Sequence, residues 1–338
     1  MGNYDLCLVG EAWGAEEERA GRPFVGLAGW QLDQLLRDAG IHRSQCHVTN
    51  VFNLRPKDNA LENICSKEKV GGFAPLKPGG WYLREEYFGE VQRLHAELRA
   101  LRPNVAVLLG ATAAWALLGR TGIGALRGAV CHSTFLPHLK CLPTYHPANV
   151  LYDPTHRAVT VFDLQKAARE AAFPEIRRPH RTVYIQPTLT DLEWYHETHL
   201  AAARRISFDI ETAGRQITCI GFAPDHLSAI VIPFVDLRTA SGSYWPTPQD
   251  ERRAWAFVRR VLGGEQPKLA QNGLYDIHFL WRTCGIAVNN FVDDTMLLHH
   301  ALQPESEKSL AFLGSLYTDE AAWKLMRTRG KTTIKRDE

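Results

Sequence analysis

The sequence predicts an α/β protein of two domains, with a parallel sheet in the first half and a mixed sheet in the second. In the first half, short apolar runs alternate with helical patterns, which favours parallel strands joined by helices. In the second half, three strand-like runs come before the helices, which is typical of a sheet that begins with antiparallel strands. The first-half strands are predicted at 4–9, 46–52, 104–110 and 140–143, and the helices at 84–101, 111–119 and 156–172.

The domain boundary is predicted where the sequence PEIRRPHR interrupts these patterns at 174–181. We therefore expect a first domain at 1–173, a linker at 174–182 and a second domain at 183–323. The stretch 57–81 is rich in Gly, Pro and Lys and is predicted to be an insertion or a mobile loop. The tail at 324–338 is basic, and both a solvated end and a DNA clamp fit that composition.

The composition is that of a soluble protein. The chain has 338 residues, of which 45% are hydrophobic and 22% charged, and its net charge of +2 is too small to indicate a nucleic-acid partner. The seven cysteines are scattered without a CxxC pair, which indicates a reducing compartment. No signal segment and no membrane-length apolar run is present. We expect a cytoplasmic protein.

The stretch from Gly10 to Leu36 has the order strand, glycine-punctuated loop, helix. Loops of this kind leave the carboxyl ends of strands, where open α/β sheets bind ligands. Glu11, Glu17 and Phe24 offer two acids and an aromatic face in this loop, although an ordinary surface loop would also carry glutamates. In the helix that follows, apolar residues are predicted to share one face: Leu27, Trp30, Leu32, Leu35 and Leu36.

Three ordered motifs resemble family 4 uracil-DNA glycosylases. They are GEAWGAEEERAGRPFVGLAGWQL from Gly10, VTNVFNLRP at 48–56, and PTYHPANVL at 143–151 after LRG at 126–128. The resemblance covers the first half of the chain and implies a three-layer α/β/α domain with a parallel central sheet. It also implies DNA as the substrate and excision of a base that has left the stack.

The resemblance assigns a role to each matching residue. Phe24 would stack on the extruded uracil, Asn50 would read its amide edge, and His146 would donate a hydrogen bond to the carbonyl oxygen where charge develops. The attacking water would be positioned or activated by Glu11 with the backbone of Gly10 and Gly14, assisted by Glu17. The segment from Asn149 to Leu151 would be a wedge that fills the gap in the duplex. Structural roles, such as a core position for Phe24 or a strand-end cap for Asn50, are the alternatives.

Two features depart from the family. Trp13 stands where GEAPG has proline, and it would either crowd the pocket or add a stacking face. The family's iron–sulfur cluster needs four cysteines, but Leu54 occupies the third position, and the region of Tyr87 and Phe88 supplies no fourth. We therefore expect no iron–sulfur cluster. The stretch CHSTFLPHLKC offers zinc-type ligands, but its spacing favours strands that flank a turn: Cys131, His132, His138 and Cys141.

The second half resembles the DEDD 3′–5′ exonucleases of the polymerase A group. FDIET at 208–212 and NGLYDIHFL at 272–280 match the first two motifs, and DDTMLLHHAL follows. The resemblance implies a ribonuclease H-like mixed-sheet fold and Mg²⁺ or Mn²⁺ held by Asp209, Glu211 and Asp276. It makes Asp294 structural. The fusion is similar to the front portion of certain phage DNA polymerases, so a polymerase subunit is a possible partner.

The third exonuclease motif, a tyrosine with an aspartate four positions later, is absent, because Tyr317 is followed at that spacing by Ala321. We therefore expect an incomplete exonuclease domain with little or no activity. Three functions compete at this point: an active uracil-DNA glycosylase, a degenerate module that tethers a replicase or senses uracil, and a proofreading nuclease fragment.

Overall fold

The computed structural model describes residues 5–318 and residue 320. These residues form two compact units, of which the first runs to Arg177 and resumes at Ala311, and the second is Arg178–Leu310. The predicted basic tail and Ala321 lie outside the described residues. None of the helices described is both long enough and apolar enough to span a bilayer.

The first unit contains a five-stranded sheet in the order β2-β1-β5-β7-β6, in which β6 is antiparallel and the other strands are parallel. In a separate two-stranded ribbon, β3, inside the stretch 57–81 predicted as an insertion, pairs with β4, which begins just after that stretch. The strands are β1 (Leu6–Ala12), β2 (Cys46–Phe52), β3 (Cys65–Ser66), β4 (Tyr82–Leu83), β5 (Val105–Leu109), β6 (Cys131–His132) and β7 (Lys140–Thr144).

Helices cover both faces of this sheet. They are α1 (Ala15–Ala20), α2 (Leu27–Asp38), α3 (Phe88–Leu101), α4 (Ala111–Leu118), α5 (Ile123–Leu126), α6 (Pro147–Tyr152) and α7 (His156–Glu170). Alternate residues of β1 enter two different cores, because side chains alternate across a strand. Leu6 and Leu8 pack with α2 and α7, whereas Cys7 and Val9 pack with α3 and α4. The predicted three-layer α/β/α architecture is confirmed.

The apolar face predicted for α2 is only partly correct. Leu32, Leu35 and Leu36 are buried, but Leu27 and Trp30 are 77% and 58% exposed. The first turn of α2 buries Gly29 instead, whose α-carbon leaves no room for a side chain beside the backbone of Phe24.

The second unit contains a six-stranded sheet in the order β13-β12-β9-β10-β11-β8. The central strand β10 pairs antiparallel with both β9 and β11, and the outer pairings are parallel, so the predicted mixed sheet is confirmed. The strands are β8 (Thr182–Tyr184), β9 (Ile206–Ala213), β10 (Gln216–Ala223), β11 (Ser228–Pro233), β12 (Lys268–Ala270) and β13 (Phe291–Asp294). The helices are α8 (Leu189–Tyr195), α9 (Pro248–Gly263), α10 (Gly273–Cys284) and α11 (Thr295–Leu302).

Two features of the chain from 174 onward differ from the sequence-based expectation. Strand β8 begins at the end of the stretch predicted as a linker. The last described helix, α12 (Leu310–Tyr317), falls inside the predicted second domain, yet from Ala311 it belongs to the first compact unit.

Candidate functional site

The candidate site lies where the parallel strands of the first unit end. Glu11 is near the end of β1, Asn50 lies in the second half of β2, and His146 follows β7 after Tyr145. Gly10 and Asn50 are paired across β1 and β2. The carboxyl edge of a parallel sheet is the usual ligand-binding edge of α/β folds, and the structure brings these predicted residues together there.

Phe24 lies over this edge in an unusual backbone conformation, with φ of 54°. Its backbone oxygen is held by Arg43, whose Nη2 donates to it at 3.0 Å. Phe24 is 5% exposed. Its ring stacks on the imidazole of His146, with ring centroids 5.7 Å apart and ring planes inclined by 29°. Arg43 therefore holds the backbone of Phe24, and His146 packs against the face of its ring.

Asn50 is 2% exposed, and its Oδ1 has no hydrogen-bond partner among the described residues. Leaving a buried polar atom unpaired costs about 1–3 kcal/mol, so such an atom needs an explanation. A β-carbon on Gly10 would collide with Oδ1 of Asn50 and lie 2.5 Å from the ring of Phe24. Gly10 thus leaves a gap in which the amide edge and the aromatic ring meet.

Arg93, which the sequence analysis did not single out, holds the backbone of β2 in place. Its Nη2 donates to the carbonyl oxygens of Asn50 and Val51 at 2.7 and 3.1 Å, and its Nη1 donates to Glu97 at 2.5 Å. Its position on α3 carries no motif signal, so only the fold identifies it.

His146 is the N-cap of α6, and its Nδ1 accepts the backbone N–H of Ala148 at 3.2 Å. An accepting Nδ1 places the proton of the neutral ring on Nε2. Burial lowers the pKa of His146, and the negative charge of Glu11 opposes that shift. Close packing continues behind the ring, because a β-carbon on Gly110 would lie 3.0 Å from the β-carbon of His146.

Glu11 is held by Thr112 of α4, whose hydroxyl donates to Oε2 at 2.5 Å. No described residue donates a hydrogen bond to the other carboxylate oxygen, Oε1, and the side chain is half-buried. A carboxylate oriented through one oxygen in this way leaves the second oxygen to accept a proton.

Glu17 differs from Glu11 because its carboxylate is occupied by the loop itself. Oε1 accepts the N–H groups of Val25 and Gly26, both at 2.9 Å, and Oε2 accepts that of Gly14 at 3.1 Å. Burial acts to raise the pKa of Glu17, but these backbone hydrogen bonds outweigh it and lower the pKa. The geometry fits a residue that shapes the loop around Phe24 better than one that handles a proton.

The predicted wedge segment lies on α6 at the rim of the site. Asn149 accepts a hydrogen bond from Nδ1 of His156 at 2.6 Å, so its amide is tied to α7. Leu151 is 40% exposed, and its neighbour Tyr152, which the sequence analysis did not select, is 89% exposed. Tyr152 is the more prominent apolar side chain of this rim.

Trp13 is bound through its backbone, whose N–H donates to the carbonyl oxygen of Leu54 at 3.1 Å. Its Nε1 is buried and has no hydrogen-bond partner among the described residues. The residue that replaces the family's proline therefore carries an unpaired donor.

In the second unit, Asp209 and Glu211 lie on β9 and Asp276 lies on α10. Asp276 is buried, and its Oδ1 accepts the N–H of Ile210 at 2.9 Å. Burial and the charges of Asp209 and Asp294 raise the pKa of Asp276 to about 6, against the effect of that hydrogen bond. Burial and then the charge of Glu211 raise the pKa of Asp209.

Carboxylates are suitable ligands for Mg²⁺ or Mn²⁺. However, in the part of the chain that the structure describes, no three His, Cys, Asp or Glu side chains are arranged to hold one ion. Asp294 accepts the N–H groups of Asn272 and Gly273 at 3.0 and 2.8 Å, which matches its predicted structural role.

The Cys–His stretch forms a strand pairing. Cys131 and His132 of β6 pair with Cys141 and Lys140 of β7, and the thiol of Cys131 lies 3.9 Å from the carbonyl oxygen of Cys141. Burial raises the pKa of Cys141 well above its usual range, which disfavours the thiolate that a metal requires. The arrangement agrees with strands that flank a turn.

A family model described as the uracil DNA glycosylase superfamily matches residues 2–176. The chain therefore belongs to the uracil DNA glycosylase superfamily. Its first half is 32% identical over 172 residues to the type-4 uracil-DNA glycosylase of Thermotoga maritima, covering 49% of this chain and 78% of that protein. It is 33% identical over 168 residues to the type-4 uracil-DNA glycosylase of Archaeoglobus fulgidus, covering 48% and 74%. The predicted family resemblance is confirmed.

A second family model, described as a 3′–5′ exonuclease, matches residues 185–333, which confirms the fusion predicted from the motifs. Among solved structures, the EXO domain of Aedes aegypti Nibbler is similar with a TM-score of 0.32 and 17% identity, covering 44% of this chain and 73% of that one.

Proposed function

We propose that the first unit excises uracil from DNA by extruding the base into the pocket between Phe24, Asn50 and His146. The observation that carries this proposal is the buried, unpaired Oδ1 of Asn50 beside the ring of Phe24. The N3–H of uracil is a donor that this oxygen lacks, and O4 beside it is an acceptor for the amide nitrogen of Asn50. DNA is the substrate class that both family matches imply.

The chemistry follows from the two groups on either side of the glycosidic bond. The bond between N1 and C1′ breaks, and uracil leaves as an anion whose charge spreads to O2. The Nε2–H of neutral His146 donates to that oxygen, a contribution of about 3–4 kcal/mol for one well-placed donor. Water adds to C1′, and the oxygen of Glu11 that Thr112 leaves available takes its proton.

Other residues of the site position the loop or contact the DNA duplex. We assign Glu17 to positioning, since its carboxylate binds the amides of Gly14, Val25 and Gly26. Leu151 and Tyr152 are assigned to the duplex gap, because their exposed side chains lie on the helix that His146 caps.

We propose that this site works without an iron–sulfur cluster. The cluster requires four thiolate ligands, and Leu54 stands at one of the ligand positions of the family. The scattered cysteines, with no CxxC pair, support a cytoplasmic location. The match to a 3′–5′ exonuclease family supports a polymerase subunit as partner.

For the second unit we propose little or no 3′–5′ exonuclease activity in this chain. The proposal is supported by Asp276, one of whose oxygens is bound by a backbone amide, and by Ala321 at the position of the third-motif aspartate. A nuclease assay on a 3′ end with Mg²⁺ or Mn²⁺ tests it. Robust degradation that Asp209→Ala abolishes would overturn it.

The glycosylase proposal is tested with a single-stranded oligonucleotide that contains one uracil. Alkali should cleave the strand after incubation with the protein, and His146→Ala should lower kcat by about 10²–10³. His132→Ala, which removes an exposed imidazole from β6, is the matched control and should leave kcat unchanged.

A binding module is the second candidate, because Trp13 replaces a proline beside the pocket and carries a buried, unpaired indole N–H. In that case the wild-type protein would bind the oligonucleotide and yield no alkali-labile product. This result would reject the glycosylase proposal and support a DNA-binding module without catalytic activity.

A further inference from the structure

The first unit contains a buried ion pair outside the residues assigned above. Arg127 and Asp163 are each 1% exposed, and Nε of Arg127 donates to Oδ2 of Asp163 at 2.9 Å, while Nη2 donates to Oδ1. The third nitrogen, Nη1, donates at 2.9 Å to the hydroxyl of Ser315 on α12. A buried guanidinium needs all its partners, because an unpaired charged donor is costly.

A buried lysine holds the end of the same helix. Lys166 on α7 is 3% exposed, and its Nζ donates to the carbonyl oxygens of Ser315 and Thr318, both at 2.6 Å, and of Gly128 at 3.0 Å. Cations stabilise the carbonyl end of a helix. The last turn of α12 is thus bound to the first unit by charge-assisted hydrogen bonds.

Apolar contacts also hold α12 against the first unit. Phe312, Leu313 and Leu316 are each 8% exposed or less and form one cluster with Val159, against which Tyr145 packs. These contacts and the two cations leave Phe312, Leu313, Ser315 and Leu316 buried, so α12 is part of the core of the first unit.

The helix α12 comes from the part of the sequence that matches the second family, although it packs in the first unit. The helix falls within residues 185–333, the part of the chain that matches the exonuclease family, and outside residues 2–176. The glycosylase unit is therefore completed by a helix that its own family region does not encode.

The same network reaches β7, the strand that ends two residues before His146. Oδ2 of Asp163 accepts the hydroxyl of Thr144 at 2.7 Å, and Thr144 is the last residue of β7. Gly128 donates its N–H to the carbonyl oxygen of Pro143 at 2.9 Å, and with φ of 72° it has no space for a side chain beside Ser315. His146 follows Thr144 after one residue, Tyr145, whose ring packs against the α12 cluster.

Resting on the proposed glycosylase function, we propose that Ser315 is a positioning residue for His146. Through Arg127 and Asp163, the docked helix α12 holds Thr144, and so it fixes the segment from which the imidazole projects. The exonuclease-like half of the sequence thereby supplies a required part of the glycosylase site.

The proposal is tested in the full chain with Ser315→Ala. Loss of a hydrogen bond to a charged group corresponds to about tenfold in an opening equilibrium. Amide hydrogen exchange over residues 143–150 should therefore accelerate about tenfold, and kcat on the uracil oligonucleotide should fall about tenfold with KM unchanged. Ser315→Thr retains the hydroxyl and should restore both values. Leu310→Ala, on the same helix at a side chain that is 45% exposed, is the control and should change neither.

Unchanged exchange over 143–150 in Ser315→Ala would overturn the proposal, and so would accelerated exchange with wild-type kcat. If the wild-type protein does not excise uracil, the glycosylase proposal fails on its own. The exchange measurement then still decides whether α12 holds the segment of His146.

Discussion

Gly10 and Asn50 are paired across neighbouring parallel strands, and the amide oxygen of Asn50 fills the space that a β-carbon on Gly10 would need. The ring of Phe24 lies against the same position at 2.5 Å. The missing side chain of one residue thus allows the other two to border a single gap. The close packing of Asn50 and Phe24 therefore depends on the absence of a side chain at position 10.

Gly10→Ala should abolish most of the activity without unfolding the domain. The added methyl group must displace Asn50 or Phe24, and a misplacement of about 1 Å can cost about 10²-fold in rate. We expect kcat/KM to fall by about 10² or more in the uracil-excision assay. Gly89→Ala on α3, where a β-carbon meets no atom within 4 Å, is the matched control. Wild-type activity of Gly10→Ala would show that the positions of Asn50 and Phe24 do not govern excision.

His146 should titrate below the usual histidine range. Burial lowers its pKa, so between the folded and unfolded pKa values the unfolded chain binds more protons, and stability rises with pH. That contribution is complete above about pH 6.5 and is lost as the pH falls through the folded pKa. An NMR titration of the imidazole measures it directly. Glu11→Gln should lower the pKa of His146 further, because the opposing negative charge is removed; an upward shift would contradict this account.

Glu17→Gln should destabilise the first unit by about 1–2 kcal/mol, because one of the three loop amides loses its acceptor and meets an N–H group instead. Urea denaturation measures the free energy of unfolding. The neighbouring exposed carboxylate provides the control, and Glu16→Gln should have no measurable effect. If Glu17→Gln abolishes excision while stability is unchanged, Glu17 takes part in proton transfer after all.

Arg93→Lys should reduce kcat/KM about tenfold, since an ammonium cannot reproduce the fork that binds the carbonyl oxygens of Asn50 and Val51 along with Glu97. The loss arises from a shifted β2, so binding of free uracil should weaken as well. Arg99→Lys, at an exposed position of the same helix, should leave both measurements unchanged. Equal activity of the two variants would exclude a positioning role for Arg93.

Much of the first unit could be predicted from the sequence. Apolar runs of strand length separated by helical periods identify a parallel sheet, and residues that follow such strands must meet at its carboxyl edge. For this reason the loop that carries Glu11, Glu17 and Phe24 was expected at that edge. The motif resemblance added Asn50 and His146, and the family matches confirm the resemblance of both halves of the chain.

Local sequence patterns were less informative where a side chain contacts residues that are distant in the chain. The apolar period of α2 extended to Leu27 and Trp30, which are exposed because Gly29 packs there instead. A glutamate in a loop beside an active site has the same sequence signal whether it moves a proton or binds amides, and the coordinates place Glu17 in contact with amides.

The sequence by itself determined the order of strands and helices, the residues at the strand ends and the family of each half, since these depend on periodicity and on short motifs. Only the tertiary structure decided which carboxylate is available, which arginine supports Asn50, and that α12 belongs to the first unit. Arg127 and Ser315 are 188 positions apart, and their hydrogen bond has no local signature. A contact of this kind arises from the packing of the whole unit, because burial leaves the guanidinium no solvent to bind instead.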